Sequence, residues 1–447
     1  MTTPRNSTAA VAFVMLASHA AFAQAPPAYR ADDLGTLGGT YLLAAAMNNN
    51  GDIVGSGTVA DGTLHAFRWT RAGGLEDLGL FGGIESQASG INDRGDILGF
   101  YFDAAFVTHP FILPAGGTMQ ALDGVFQPSA LATNDWFTGM SSNARAFRAI
   151  PGGVVEDISA FISFGSAINA SGATAGWSWH ADPADEQPTA FRYTDGAGFV
   201  DLGTFGGPSS YAYGINAAGT VVGAADTSLG VWHAYRAVPG AALQDLGVLR
   251  TGGVSRSVAY AVNDAGDVVG TAEGGGSLTA FRYTDDRGLI DLAPLVPVAA
   301  RAHGALYSAV AINAQKAIVA IYSDPNGEFR SELLTPRDDV PAPVVSNVSA
   351  DPRVLMPPNG RMVPVYVTVA VADEYDDSPA CTIVSVTDSA GPRFGSNQDV
   401  AITGPLSVNL RAKWHEGDDR IYRLNISCVN ALGGATAAST VVRVSNR

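Results

Sequence analysis

Residues 201–244 read DLGTFGGPSSYAYGINAAGTVVGAADTSLGVWHAYRAVPGAALQ, and a new DLG begins at Asp245. The same order of pieces returns on both sides, with starts at Asp33, Asp77, Ala121, Asp157, Asp201, Asp245 and Asp291, mostly 44 residues apart. A fixed period in the forties, with turn residues at constant offsets, marks a repeat array in which each copy is one supersecondary unit.

Each copy holds four segments of strand character. The first is rich in small residues and ends in Ile-Asn or a relative, as in AYGIN (212–216) and QASGIN (87–92). The second follows at once, as in DILG (96–99) and TVVG (220–223). Between them lies Asn-x-x-Gly, with Asn48, Asn92, Asn169, Asn216 and Asn263 leading Gly51, Gly95, Gly172, Gly219 and Gly266. Asn at the first turn position and Gly where positive φ is needed indicate a tight hairpin. A third strand carries HAFRW (65–69), TAFRY (189–193) or HAYRA (233–237), and the fourth runs into the next Asp-Leu-Gly.

Four strands in about 44 residues make one blade of a β-propeller. The chain's first Asp-Leu-Gly, in AYRADDLG (28–35), precedes any complete copy, and the last copy ends at SELLTP (331–336). Pairing of these two segments completes a seventh blade and removes both exposed sheet edges. The expected fold is therefore all-β: a seven-bladed β-propeller over 28–336, closed by the N-terminal strand, with an open solenoid as the alternative. The Asp-Leu-Gly strands are expected outermost and the Ala/Gly-rich strands near the axis. HAFRW joined to DLGTLGG, with GIN and VVG between, resembles the HAF-type extracellular repeat family of bacterial proteins. That resemblance implies export and a repeat fold, and no catalytic residues. Copies three, four and seven depart from it, with LDGVFQP, DISAFIS and DLAPLVP in place of DLGTLGG, and copy three has only 36 residues.

After a Pro-rich linker at 337–343, residues 344–447 alternate as about seven short strands, including PVYVTVAVAD, CTIVSVTD and RIYRLNISCV. This is the pattern of an immunoglobulin-like β-sandwich, and the segment resembles Ig-like domains appended to bacterial exported proteins. Cys381 and Cys428 are the chain's two cysteines. They read as one disulfide, a staple contributing about 4 kcal/mol in the chain-entropy model. Trp414 is the candidate to pack on it. At the other end, Arg5 precedes the apolar run AAVAFVMLASHAAFA, which closes in small residues. This reads as a secretory signal peptide over 1–23 rather than a membrane anchor, so the expected location is secreted or periplasmic.

Charged residues are 15% of the 447-residue chain, the net charge is -16, and hydrophobic residues are 47%. A sizeable core is expected and disorder is not. With no basic stripe, nucleic acid is excluded as a partner. No G-x-S-x-G elbow, H-E-x-x-H helix or Walker loop occurs, so no catalytic residue, metal or cofactor is assigned. The recurrent Asp33, Asp77, Asp157, Asp201, Asp245 and Asp291 are read as turn-bonding carboxylates. His65, His109 and His233 share a position with Thr189 and Thr279, which points to packing or one hydrogen bond rather than to a metal. Turn geometry accounts for Asn-x-x-Gly-Asp without calcium.

The loops between second and third strands vary most, which directs recognition to their face. Candidate ligand-binding residues are Tyr101, Trp177, Trp179, His180, Asp185 and Trp232, in a face suited to polar, neutral or cationic ligands including sugars. The expected function is that of an exported, non-catalytic binding or adhesion protein recognising a glycan or a cell-envelope component. A carbohydrate-active enzyme and a passive structural envelope protein are the alternatives.

Overall fold

The computed structural model describes residues 27–179, 187–250, 255–274, 276–389, 399–414 and 419–446. The expected signal peptide, His180 and Asp185 lie outside them. The chain is all-β, and its strands form nine four-stranded sheets. Seven come from the repeats. In the fifth, strands Gly206–Ile215, Val221–Thr227, Trp232–Ala237 and Gln244–Gly247 pair antiparallel in chain order. The first strands of successive sheets touch one another, and the last, Ala305–Ile312, touches the first, Gly38–Met47. The Ala/Gly-rich strands thus lie innermost.

The seventh sheet takes its fourth strand from the other end of the chain. Ala28–Asp33 pairs antiparallel with Phe329–Arg337, in the register Ala28↔Arg337 to Asp33↔Glu332. AYRADDLG and SELLTP therefore pair as the leftover segments required.

Side chains repeat their tasks from sheet to sheet. Asn216 Oδ1 accepts from the amide of Thr220 at 3.0 Å, and its Nδ2 donates to Asn263 O at 3.1 Å in the neighbouring turn. Asn48 donates in the same way to Asn92 O, Asn169 to Asn216 O and Asn263 to Asn313 O. Asn92 and Asn134 bridge the third sheet, through Asp135 and Ala170 O. Asn313 reaches Asn48 O at 3.5 Å, which joins the seventh turn to the first. The left-handed backbone these turns need, φ +79° at Gly219, is reached without a Cβ penalty by Gly. Lys316 holds that place in the last copy, at φ 62°.

Each Asp-Leu-Gly is a closed turn. Asp201 Oδ1 accepts from Gly203 N at 2.7 Å, and Asp77 and Asp245 do the same for Gly79 and Gly247. The other carboxylate oxygen meets the residue that opens HAF or TAF: Thr189 at Asp201, and His233 at Asp245, 2.8 Å apart. His65 meets Asp77 at 2.8 Å. Where Ala121 replaces the Asp, His109 turns to Asp103 at 3.0 Å. A Ser at the start of the next inner strand locks adjacent sheets: Ser210 Oγ donates to Gly203 O and accepts from Ala190 N.

The departures have structural reasons. Copy three keeps four strands by shortening its loops, with a tight turn at Ala144 and an outer strand of only Glu156–Asp157. In copy seven, DLAPLVP forms the turn Ala293–Leu295 and leads into a short helix, Val298–Arg301. Leu292, Leu295 and Val296 there share one core with Tyr29, Tyr375 and Leu432, so this segment receives the C-terminal region.

That region, from Val344 on, is two four-stranded sheets facing each other over one core. Strands Val344–Asp351, Met362–Ala372, Ser407–Arg411 and Val400–Gly404 make one; Val354–Leu355, Ala435–Val444, Arg420–Val429 and Ala380–Asp388 make the other. Cys381 and Cys428 are bonded, directly across adjacent strands of one sheet rather than between sheets. Trp414 packs at the border of this core. Among the described residues no helix is long and apolar enough to cross a membrane.

Candidate functional site

Each inner strand has a bulge three residues before its terminal turn, and the residue it frees differs around the axis. In the first three sheets it is Ala45, Ser89 or Ser129; in the fifth and sixth it is Tyr213 and Tyr260. Small residues on one side and tyrosines on the other make the axial wall asymmetric. Tyr213 contacts Tyr260 with ring centroids 5.5 Å apart and lies parallel to Tyr211 at 6.3 Å. Tyr211 in turn meets Trp232 at 5.4 Å and Trp177 at 5.9 Å, and Trp177 packs on Phe164 and Trp179. The result is one connected aromatic wall from the fourth sheet to the sixth, descending toward the axis.

Of the residues expected from sequence, Trp177, Trp179 and Trp232 are thereby brought together. Tyr101 is not: it stacks on His109 at 4.9 Å in the second sheet. Sequence reasoning missed Tyr211, Tyr213 and Tyr260, which look like core filler within a strand that other copies fill with small residues. The available signal was SSYAYGIN set against ESQASGIN.

The wall ends in polar groups. A cavity of about 450 Å³ is lined by Gly230, Val231, Trp232, Arg256 and Glu273. Glu273 N donates to Arg256 O at 2.8 Å, which sets the two residues side by side at the cavity, and among the described residues no ion pair joins their side chains. Asp226, paired across the hairpin with Trp232, is 6% exposed and accepts from Ser209 Oγ at 2.6 Å. Burial raises the Tyr211 hydroxyl, and the Asp226 charge adds to this. Burial also raises Tyr260, with Tyr307 adding and Arg256 opposing, and it holds Tyr213 far above its ordinary value. These phenols stay neutral near pH 7 and act as hydrogen-bonding, π-bearing surface.

At the opposite end of the axis a smaller pit of about 230 Å³ is ringed by the Asn turns. Met47, Ile91, Leu131, Ile168, Ile215, Val262 and Ile312 line it, one from each inner strand. The Asn amides there are spent on neighbouring turns, so the ring is a clasp with an apolar floor. No cluster of three or more His, Cys, Asp or Glu side chains placed to hold a metal occurs among the described residues.

No protein-family model and no curated protein matches the chain. Solved structures do. The puromycin hydrolase S511A mutant complexed with PGG is 16% identical over 73% of this chain and 58% of its own, with a TM-score of 0.44. The β-propeller domain of the Trilobed protease from Pyrococcus furiosus, described as having an open velcro topology, is 9% identical over 70% and 98%, at 0.47. The acylaminoacyl peptidase of Pyrococcus horikoshii is 10% identical over 74% and 59%, at 0.42. This chain thus spans less than two thirds of the two full-length enzymes, and the likeness concerns fold alone.

The expectation of an adhesion or binding module for a glycan or envelope component, with its carbohydrate-active and passive structural alternatives, is corrected here: the neighbours named above are peptide hydrolases and a protease propeller. Trp177 and Tyr211 pack against other rings of the wall, and Tyr101 is not part of it.

Proposed function

We propose that this chain is a peptidase-related propeller that takes up peptide between its fifth and sixth sheets, beside Trp232. The carrying observation is the join, at Trp232, between the aromatic wall and a cavity lined by Arg256 and Glu273. A peptide end suits that arrangement. Apolar side chains bury against Trp232 and Tyr211, a carboxylate meets the Arg256 guanidinium, and an ammonium meets Glu273, with the Asp226 charge and the ring faces in support. Bond breaking is assigned to none of these groups; they bind and orient.

The scaffold in this reading is a closed seven-bladed propeller followed by an immunoglobulin-like sandwich. It is supported by the pairing of Ala28–Asp33 with Phe329–Arg337 and by the Asn313 bond back to Asn48 O. The Cys381–Cys428 bond favours an oxidising, exported location, in keeping with the apolar N-terminal run and the HAF-type resemblance.

The test is titration of the protein with short synthetic peptides, followed by tryptophan fluorescence. Trp232→Ala is expected to weaken binding at least tenfold and Arg256→Gln to weaken peptides with a free carboxylate selectively, while Tyr101→Ala leaves affinity unchanged. Equal affinity in Trp232→Ala and the unaltered protein removes the site.

A further inference from the structure

In six of the seven repeat sheets one cross-strand triplet recurs at the third strand. An aromatic side chain sits between a second-strand Gly and a fourth-strand residue: Gly55–Phe67–Asp77, Gly99–Phe111–Ala121, Gly139–Phe147–Asp157, Gly176–Phe191–Asp201, Gly223–Tyr235–Asp245 and Gly270–Phe281–Asp291. Each of these aromatics is 0% exposed. At Gly99, Gly176, Gly223 and Gly270 the ring covers the Gly closely: a Cβ on Gly270 would lie 2.8 Å from Phe281 Cε1. In the seventh sheet the triplet is Ala320–Glu332–Asp33. A carboxyl replaces the ring, the Gly becomes Ala, and this happens in the one sheet whose outer strands come from opposite ends of the chain.

We propose that Glu332 and Asp33 form a proton-operated clasp on the closing strand, locked when they share one proton and loosened when both are charged. This rests on the ring reading given above. Residues directly opposed on antiparallel strands have Cβ atoms roughly 5 Å apart, where like charges destabilise pairing. Glu332 is 2% exposed, whereas Asp33 is exposed and accepts from Gly35 N at 3.0 Å. Among the described residues no basic group pairs with Glu332. The other titratable groups close by are Tyr322 on the second strand, with His303 against its ring, and Arg330 on Glu332's own strand, whose guanidinium lies 3.8 Å from Asp324. Burial first, and the Asp33 charge second, raise Tyr322 to about 12, so it stays neutral. Burial and the Asp33 charge push Glu332 to about 7.

The sign follows from linkage. A carboxyl whose folded pKa is raised contributes its full stability below its unfolded value, and that contribution is lost as pH climbs through the folded value. The clasp is therefore tight near pH 4, half-spent near pH 6, and almost wholly spent above pH 7, where the strand is open to release. Displacement from 4.5 to about 7 corresponds to about 300-fold in the opening equilibrium between pH 4 and pH 9.

The experiment is amide hydrogen exchange on the full chain, expressed as protection factors so that the chemical rate cancels, between pH 5 and 9. Expected is a fall of about 70-fold for the Ala28–Asp33 amides, with no such fall for Val221–Thr227. The fall should vanish in Glu332→Gln, and in Ala320→Gly combined with Glu332→Phe, which restores the repeat triplet. A wild-type profile matching that of Glu332→Gln, with the strand protected throughout, overturns the clasp while leaving the ring intact. Absence of protection at every pH overturns the ring itself.

Discussion

Gly223 shows what the repeat asks of single residues. A Cβ there would lie 1.9 Å from Tyr211 O and 2.9 Å from Tyr235 Cε1, so Gly223→Ala forces backbone apart. We expect it to lower unfolding free energy by about 2–3 kcal/mol in denaturant titration. Gly230→Ala, in open space at φ +71°, should lose only about 1 kcal/mol, to backbone strain alone. The Asn-x-x-Gly glycines were legible because a turn announces them. Gly223 was not, because the ring that needs its space, Tyr235, is twelve residues away and only the strand register brings it there. Glu332 was hidden for the same reason: SELLTP reads as an ordinary strand end until it is laid against Asp33.

Among elements, the Asp-Leu-Gly turn is a small machine with a replaceable partner. His and Thr alternate at 65, 189, 233 and 279, and each engages the Asp twelve residues on. Thr189→His should therefore stay within about 0.5 kcal/mol of the unaltered protein, whereas Asp201→Ala, which strips Gly203 N and Thr189 of their acceptor, should cost about 1–2 kcal/mol. The sequence made both roles readable, since one position accepting His or Thr implies a hydrogen bond and little more. It also made the cystine readable, though not its setting within one sheet. Replacing both cysteines by Ser should lower the stability of the C-terminal sandwich by about 2–4 kcal/mol, measured as a reduced melting temperature of that unit. The aromatic wall was half legible. Tryptophans in variable loops attract attention, but Tyr211, Tyr213 and Tyr260 sit on inner strands, where only the bulge and the axis give them a surface.

Across the whole molecule, the strand Ala28–Asp33, which pairs with Phe329–Arg337, is also the one on which the C-terminal sheets rest. Tyr29 is fully buried, takes a bond from Arg282 Nη1 at 2.8 Å to its hydroxyl, and accepts at its carbonyl from Tyr375 Oη at 3.0 Å. Arg337 reaches Glu374 and Tyr375, and Arg301 donates to Tyr375 O. Tyr375→Phe should lose about 1–2 kcal/mol with the hydroxyl's two hydrogen bonds, and Tyr375→Ala about 3–5 kcal/mol with the buried ring, turning one calorimetric transition into two. Repeat period and turn residues made the all-β, four-stranded sheets readable from sequence, and the leftover ends pointed to the pairing of Ala28–Asp33 with Phe329–Arg337. The docking did not show there, because DLAPLVP looks like a decayed turn rather than a seat for another unit.

A cysteine pair at Arg30 and Thr335, opposite each other in the closing register, tests the ring most directly. If the two ends of the array are joined as described, Arg30→Cys with Thr335→Cys oxidises completely in the folded protein and raises its melting temperature. Two thiols that stay free and reactive in the folded protein would contradict the ring.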